Sequence, residues 1–307
     1  MKNFFRQYAA IILSMIFWAL SFVWFKIANE SYRPITIIFI RLCIAVAFLS
    51  VYLWITKGFT RIEKADRKYF FFLAFFEPFT YFLGESFGLT YVSSTVGSVI
   101  ISTIPVFVIL FAWIIYREKL KMINYIGAII SFIGVLIFIS NPNGTISVST
   151  KGLLLLLLAV VSAVGYGMVL HRLAHKYNPV FIVNIQNAIG ALLFLPLFLI
   201  FDLRNFLETG IVVRSISVIV LLALFASSAA FALFAYSVKS LGISKANVFS
   251  NLIPGLTALF AFLLVDEKPT LQNILGVIIV ITGLFMSQRG DGAKVHDEEI
   301  DLTGRSA

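Results

Sequence analysis

Charge is scarce in this chain, and that scarcity excludes more than any motif does. Only 13% of the 307 residues are Asp, Glu, Lys or Arg and 60% are apolar, where a soluble domain is about a quarter charged. Apolar runs of about 20 residues recur along nearly the whole length, the signature of membrane-spanning helices. A stretch such as 152–170 offers no polar face to water, so a water-soluble fold is excluded. The single cysteine, Cys43, leaves no intramolecular disulfide. No GxxxxGK[ST] loop is present to cradle ATP phosphates, and no nucleophile–base pair is visible. His171 and His175 have the i, i+4 spacing of metal ligands, but the run HRLAH lacks the glutamate of HExxH, and His171 aligns with Lys26, so a cation near a helix end is the simpler account. No enzyme chemistry, metal or cofactor is expected.

What is present is a duplication. Residues 97–134 slid forward by 149 positions meet 246–283, placing Pro105 on Pro254, Glu118 on Glu267, Lys119 on Lys268, Asn124 on Asn273, Gly127 on Gly276 and Gly134 on Gly283. Nearer the front, 17–53 aligns with 162–198 at an offset of 145, placing Pro34 on Pro179 and Arg41 on Gln186. Ten spans are expected, at 8–28, 34–56, 69–90, 95–116, 122–140, 152–172, 179–201, 214–238, 244–265 and 271–288. The first begins after Lys2 and Arg6; it is long, carries Trp18 and Trp24, and is read as an uncleaved span rather than a signal peptide. The division is then a cytoplasmic N-terminus (1–8), a first five-helix repeat (9–140), a second (152–288) and a disordered cytoplasmic tail (289–307).

With the N-terminus inside, seventeen Lys and Arg fall in cytoplasmic segments and six outside, Arg41 lying within a span. That bias places both termini in the cytoplasm, fits a bacterial inner membrane, and accounts for the net charge of +9 without a nucleic-acid partner. Five spans per copy is an odd number, so the second copy enters the membrane inverted. Inverted repeats are a transporter architecture, with the site near the midplane where the copies meet.

Two five-helix repeats, each ending in a P-x12-E-[KR] stretch followed by G-x6-G, resemble the EamA type of the drug/metabolite transporter superfamily over about residues 9–288. The resemblance implies export or exchange of small metabolites, often amino acids or related compounds, through a cavity lined mainly by helices 1–4 and 6–9. Helices 5 and 10 would be peripheral. It names no substrate, and multidrug or organic-cation export is the alternative.

Ionisable groups within the hydrocarbon are candidate functional residues. Glu77 lies about nine residues into the third span, roughly 13 Å deep at 1.5 Å per residue, and is followed by Pro78. It is a candidate proton-titrating or cation-binding group. Glu85 and Arg41, at similar depth, are expected to form an ion pair; alternatively Arg41 clamps a substrate carboxylate. Ser98 and Ser102 align with Asn247 and Asn251, each pair spaced i, i+4 before a proline, and are read as a cavity-facing stripe. Asn184, Gln186 and Asn187 interrupt the seventh span, and Asn187 is taken with Trp18, Tyr81 and Tyr166 as candidate ligand contacts. Glu118 and Glu267 are read as caps for the first amides of the helix that follows each. The paired glycines 127, 134, 276 and 283 suit close helix packing. Prolines 105 and 254 with Gly84 and Gly88 are read as points of flexibility. The expected partners are a small-molecule solute and membrane lipid, with possible coupling to protons. Direction, coupling ion and oligomeric state are left open by the sequence.

Overall fold

The computed structural model describes residues 2–107, 121–140, 148–241, 246, 249–268 and 270–288. Among the described residues ten helical segments follow one another: α1 (Lys2–Asn29), α2 (Pro34–Ile55), α3 (67–89), α4 (Ser94–Phe107), α5 (Met122–Ile139), α6 (Thr150–Ala174), α7 (Pro179–Thr209), α8 (Val213–Leu241), α9 (Phe249–Val265) and α10 (Leu271–Gln288). Of these, α1, α2, α5, α6, α7 and α8 are long and apolar enough to cross a bilayer, while α4, α9 and α10 are shorter apolar helices. The chain is thus the all-α, ten-helix membrane protein that its apolar runs imply. Large side chains such as Trp54, Leu192, Ile200 and Leu263 point outward, as a lipid solvent requires.

Local chemistry sets the helix starts. Pro34 and Pro179, repeat mates, each sit at the first turn of α2 and α7, where the missing N–H costs nothing. Asn178 caps the second of these through Val180 N (2.9 Å), and Ser93 caps α4 through Val96 N (3.2 Å).

Contacts obey the repeat. The Asn124 amide donates to Ser287 O (2.6 Å), and its mate Asn273 donates to Phe138 O (3.2 Å), both donors and both acceptors being 149 residues apart. A Cβ on Gly127 would sit 2.2 Å from Ser287 N, and one on Gly276 would sit 2.8 Å from Phe138 Cβ. Gly134 and Gly283 meet Val280 N and Ser131 N at 2.6 and 2.3 Å in the same sense. These glycines therefore let the α5 and α10 backbones touch, away from the centre. Within the centre, α2 packs on α7 and α4 on α9, while α1 packs on α8 and α9 just as α6 packs on α3 and α4. Exchanging the repeats leaves this pattern unchanged.

Three expectations need correction. The seventh span runs on to Thr209 instead of stopping at 201, because Asp202 turns inward. It is 3% exposed and accepts from Thr36 N and Thr36 Oγ1, both at 3.0 Å, capping α2. Gly84 and Gly88, expected as flexible points, lie against α6: a Cβ on Gly84 would fall 2.5 Å from Leu155 O, so close packing explains them. Glu267 caps a helix, but not the one that follows it. Its carboxylate accepts from Ser94 N (2.9 Å), Thr95 N (3.3 Å) and Thr95 Oγ1 (2.8 Å), binding the start of α4 in the other repeat. The amide of Thr270, just before α10, is satisfied by Asn273 Oδ1 instead (3.0 Å). Glu118 lies outside the described residues.

Candidate functional site

Both α3 and α8 lose regular helical bonding at the same place in the repeat. Wide π turns occupy Phe75–Thr80 and Leu222–Ala230, which overlap when 75–80 is shifted by 149. Such segments recur at functional positions because they free backbone groups and redirect side chains. In α3 the break centres on Glu77, whose backbone is extended (φ −146°, ψ 119°) just before Pro78. The carbonyl of Phe76 is taken up by Ser162 Oγ of α6 (2.6 Å). In the second break Ser14 of α1 donates to Ala230 O of α8 (2.9 Å).

Around these two breaks lies a buried polar centre. Arg41 of α2 is 3% exposed. Its Nε donates to Ser227 Oγ in the π turn of α8 (2.8 Å), and its guanidinium lies 4.1 Å from the centroid of Phe82, a cation–π contact that partly replaces lost solvation. Asn187 donates to Ser227 O (2.9 Å), securing the same turn. Glu85 accepts from Tyr81 OH one helical turn earlier (3.0 Å). The expected Arg41–Glu85 ion pair is absent from the close ion pairs among the described residues. Ser227 and Phe82 occupy the guanidinium and Tyr81 occupies the carboxylate, so the two charges act on each other at longer range. Neither terminal nitrogen of Arg41 has a hydrogen bond among the described residues. The Glu77 carboxylate likewise has none there, although it is buried and feels both Arg41 and Glu85.

Across the centre the second repeat supplies neutral groups. Gln186 of α7 is fully buried, and neither its amide nitrogen nor its amide oxygen has a well-aligned hydrogen bond among the described residues. The Tyr166 hydroxyl of α6 lies beside Gln186 and within the field of Glu77, yet it closes no bond of good geometry among the described residues. Each such orphaned group costs about 1–3 kcal/mol. Trp18 and Tyr166 both rest on Phe231, at ring separations of 5.1 and 6.0 Å, forming an apolar wall.

The serine stripe behaves otherwise. Ser98 and Ser102 are buried and donate to Thr95 O (2.8 Å) and Val99 O (2.7 Å) of their own helix, so their protons are spent locally. Asn251 is fully buried in the 3₁₀ turn Phe249–Leu252 that precedes Pro254, and α4 has its own turn at Ser102 and Thr103 before Pro105. Asn247 lies outside the described residues. The rings of His171 and His175 pack edge to face at 5.0 Å. Reading the sequence missed Ser227, Phe82 and Asp202. The repeat held a signal for the first, since Ser227 is the mate of Pro78, one residue from Glu77.

Comparison with known proteins places this geometry. The profile of the EamA-like transporter family matches residues 6–140 and 150–288, one copy in each repeat. An uncharacterized transporter of Archaeoglobus fulgidus is 29% identical over 284 residues, covering 92% of this chain and 99% of that protein. The uncharacterized transporter YcxC of Bacillus subtilis is 26% identical over 289 residues, 91% of each chain. A solved crystal structure superimposes with a TM-score of 0.67 at 13% identity, covering 92% of this chain and 98% of the other, which is a likeness of fold. With the family profile spanning both repeats and the relatives aligned nearly end to end, this chain belongs to the EamA-like transporter family and is a membrane transporter.

Proposed function

We propose that the transporter moves a small organic metabolite, an amino acid or related compound, by export or exchange, through alternating access at the Arg41–Glu77 centre. The observation that carries this reading is a buried guanidinium and a buried carboxyl group within each other's field, each with unspent hydrogen-bonding capacity among the described residues. Leaving such groups unmatched in a low-dielectric interior is costly. A zwitterion relieves both costs: its carboxylate takes the two terminal nitrogens of Arg41 in bidentate fashion, and its ammonium takes the Glu77 carboxylate. The symmetric packing across the repeats, α1 on α8 and α9 as α6 on α3 and α4, supports alternating access between the two inverted repeats, one five-helix half rocking against the other. The Lys and Arg bias supports an inner-membrane protein with both termini cytoplasmic. Proton coupling through Glu77 belongs to the same reading.

The test is uptake and release of a labelled amino-acid panel in proteoliposomes, with and without a pH gradient, beside Arg41→Gln and Glu77→Gln. Saturable amino-acid movement, lost in Arg41→Gln, is the expected result. Loss of the pH-gradient effect in Glu77→Gln would assign the coupling. Exchange of organic cations that depends on Glu77, with no amino acid moved, would instead favour the cation reading that an unpartnered buried carboxylate also suits.

A further inference from the structure

The repeat explains why Gln186 is orphaned. Arg41 and Gln186 are mates at an offset of 145, and Arg41 Nε is satisfied by Ser227 in the π turn of α8. The residue that matches Ser227 in α3 is Pro78, which has no side-chain donor or acceptor. The face of α7 that carries Gln186 does press on that turn: a Cβ on Gly190, one helical turn along, would lie 2.3 Å from Pro78 Cγ. At one of the two equivalent turns the partner position thus holds a residue that cannot bond, while the amide facing it is buried.

We propose that Gln186 and Tyr166 form a second subsite of the transport centre, one that takes a neutral hydrogen-bonding group of the solute, a carboxamide or a hydroxyl. The proposal rests on the transporter reading above and deepens it. Three polar atoms meet there without a well-aligned hydrogen bond among the described residues: the Gln186 nitrogen, the Gln186 oxygen and the Tyr166 hydroxyl, which lies within reach of Gln186, the two residues being 0% and 3% exposed. Together they present donors and acceptors, which a carboxamide matches with its own acceptor and donors, and a hydroxyl matches with one of each. Both are neutral, unlike the Arg41–Glu77 centre, so they offer hydrogen bonds but no counter-charge to offset the desolvation of an ion. An apolar group placed there would leave all three atoms unpaired, so the subsite discriminates against apolar side chains more strongly than any shape difference would. The Phe231 wall behind Tyr166 holds the phenol in place.

The full-length protein, purified in detergent, is titrated with L-glutamine and with L-norleucine, an apolar counterpart of similar length. We expect glutamine to bind at least about tenfold tighter, and Gln186→Leu to bring the two affinities to within about twofold. Gln186→Leu should also melt at higher temperature than the parent without solute, since it removes an unmet polar group from the interior. Tyr166→Phe, which deletes one hydroxyl, should lower the glutamine preference part of the way, and it decides the matter if Gln186→Leu does not fold. An unchanged preference in the folded variants would overturn the subsite, as would a parent protein that binds both solutes equally. In that last case, binding that vanishes in Arg41→Gln leaves the broader amino-acid reading standing. Binding of neither solute removes both.

Discussion

Tyr32 and Tyr177 are repeat mates that perform one task at opposite ends of α2. Tyr32 OH accepts from Val212 N and donates to Gly210 O, both at 2.8 Å. Tyr177 OH accepts from Glu63 N (3.2 Å) and donates to Asp66 (2.8 Å). Glu63 and Val212 are themselves 149 residues apart. Each tyrosine thus fastens a loop of one repeat to a loop of the other. The first clasp also holds Ser31 against Ser215 (2.9 Å) and Glu30 against Arg214 (3.1 Å).

Removing either hydroxyl leaves a backbone amide without its partner. Tyr32→Phe and Tyr177→Phe should each destabilise the protein by about 1 kcal/mol. The effects should add, because the clasps share no residue and lie at opposite ends of a 22-residue helix. Thermal melting of the two single variants and the double variant in detergent checks this. A strongly non-additive double variant would mean the clasps are coupled through α2.

The second clasp is charged, which gives it a pH window. Burial alone would raise the Asp66 carboxyl, but hydrogen bonds from Lys176 (2.7 Å) and Tyr177, with the Lys176 charge, hold it below the usual carboxylate range. A depressed acid contributes stability fully above its unfolded value, about pH 4, and loses it as pH falls through the folded value. The hydrogen bonds to Asp66, then that to Glu63, raise Lys176, whose contribution is complete below about pH 10 and fades only at higher pH. Melting temperature should therefore be flat from pH 5 to 9 as far as this clasp is concerned, and fall below about pH 4. Asp66→Asn should be less stable at neutral pH and lose part of the acid-side fall. An equally steep fall in that variant would assign it to other groups.

At the α5–α10 seam the expected cost is steric. Gly127→Ala and Gly283→Ala place a methyl 2.2 and 2.3 Å from backbone nitrogens, so the helices must separate. Overpacking of this kind costs about 1–3 kcal/mol. Gly255→Ala is the control, because its Cβ would find nothing nearer than Ile281 Cδ1 at 3.8 Å. Equal melting temperatures for all three would mean the seam yields freely.

The seam also shows what a sequence reader can reach. Asn124, Gly127 and Gly134 recur as Asn273, Gly276 and Gly283 because the duplication is gap-free there, so their equivalence was legible as low-frequency residues in register, whereas the meeting of α5 with α10 was seen only in the fold. The ten helices were legible because lipid demands long apolar runs. Longer-range choices were not. Glu267 lies four residues before α10, which suggested a local cap, but the tertiary fold delivers it to Ser94 across the repeats. Asp202 ended the seventh span by its charge, and only the approach of α2 reveals why the helix continues past it. Arg41 and Glu85 were natural partners by sign and depth, but a nearer hydroxyl and ring claimed the guanidinium.

The cap delivered by Glu267 makes its own prediction. Glu267→Ala should cost about 1 kcal/mol and increase hydrogen exchange at Ser94 and Thr95 in α4, not at the first turn of α10. Faster exchange confined to α10 would restore the local reading.

Alternating access itself is tested most directly at Ser227, the residue that holds Arg41. In a Cys43→Ala background, Ser227→Cys places a single near-isosteric thiol at the buried centre, and sealed right-side-out and inside-out vesicles are treated with a membrane-impermeant methanethiosulfonate reagent. The account predicts modification from both sides, slowed by a transported amino acid. Modification from one side only, at any solute concentration, would contradict it.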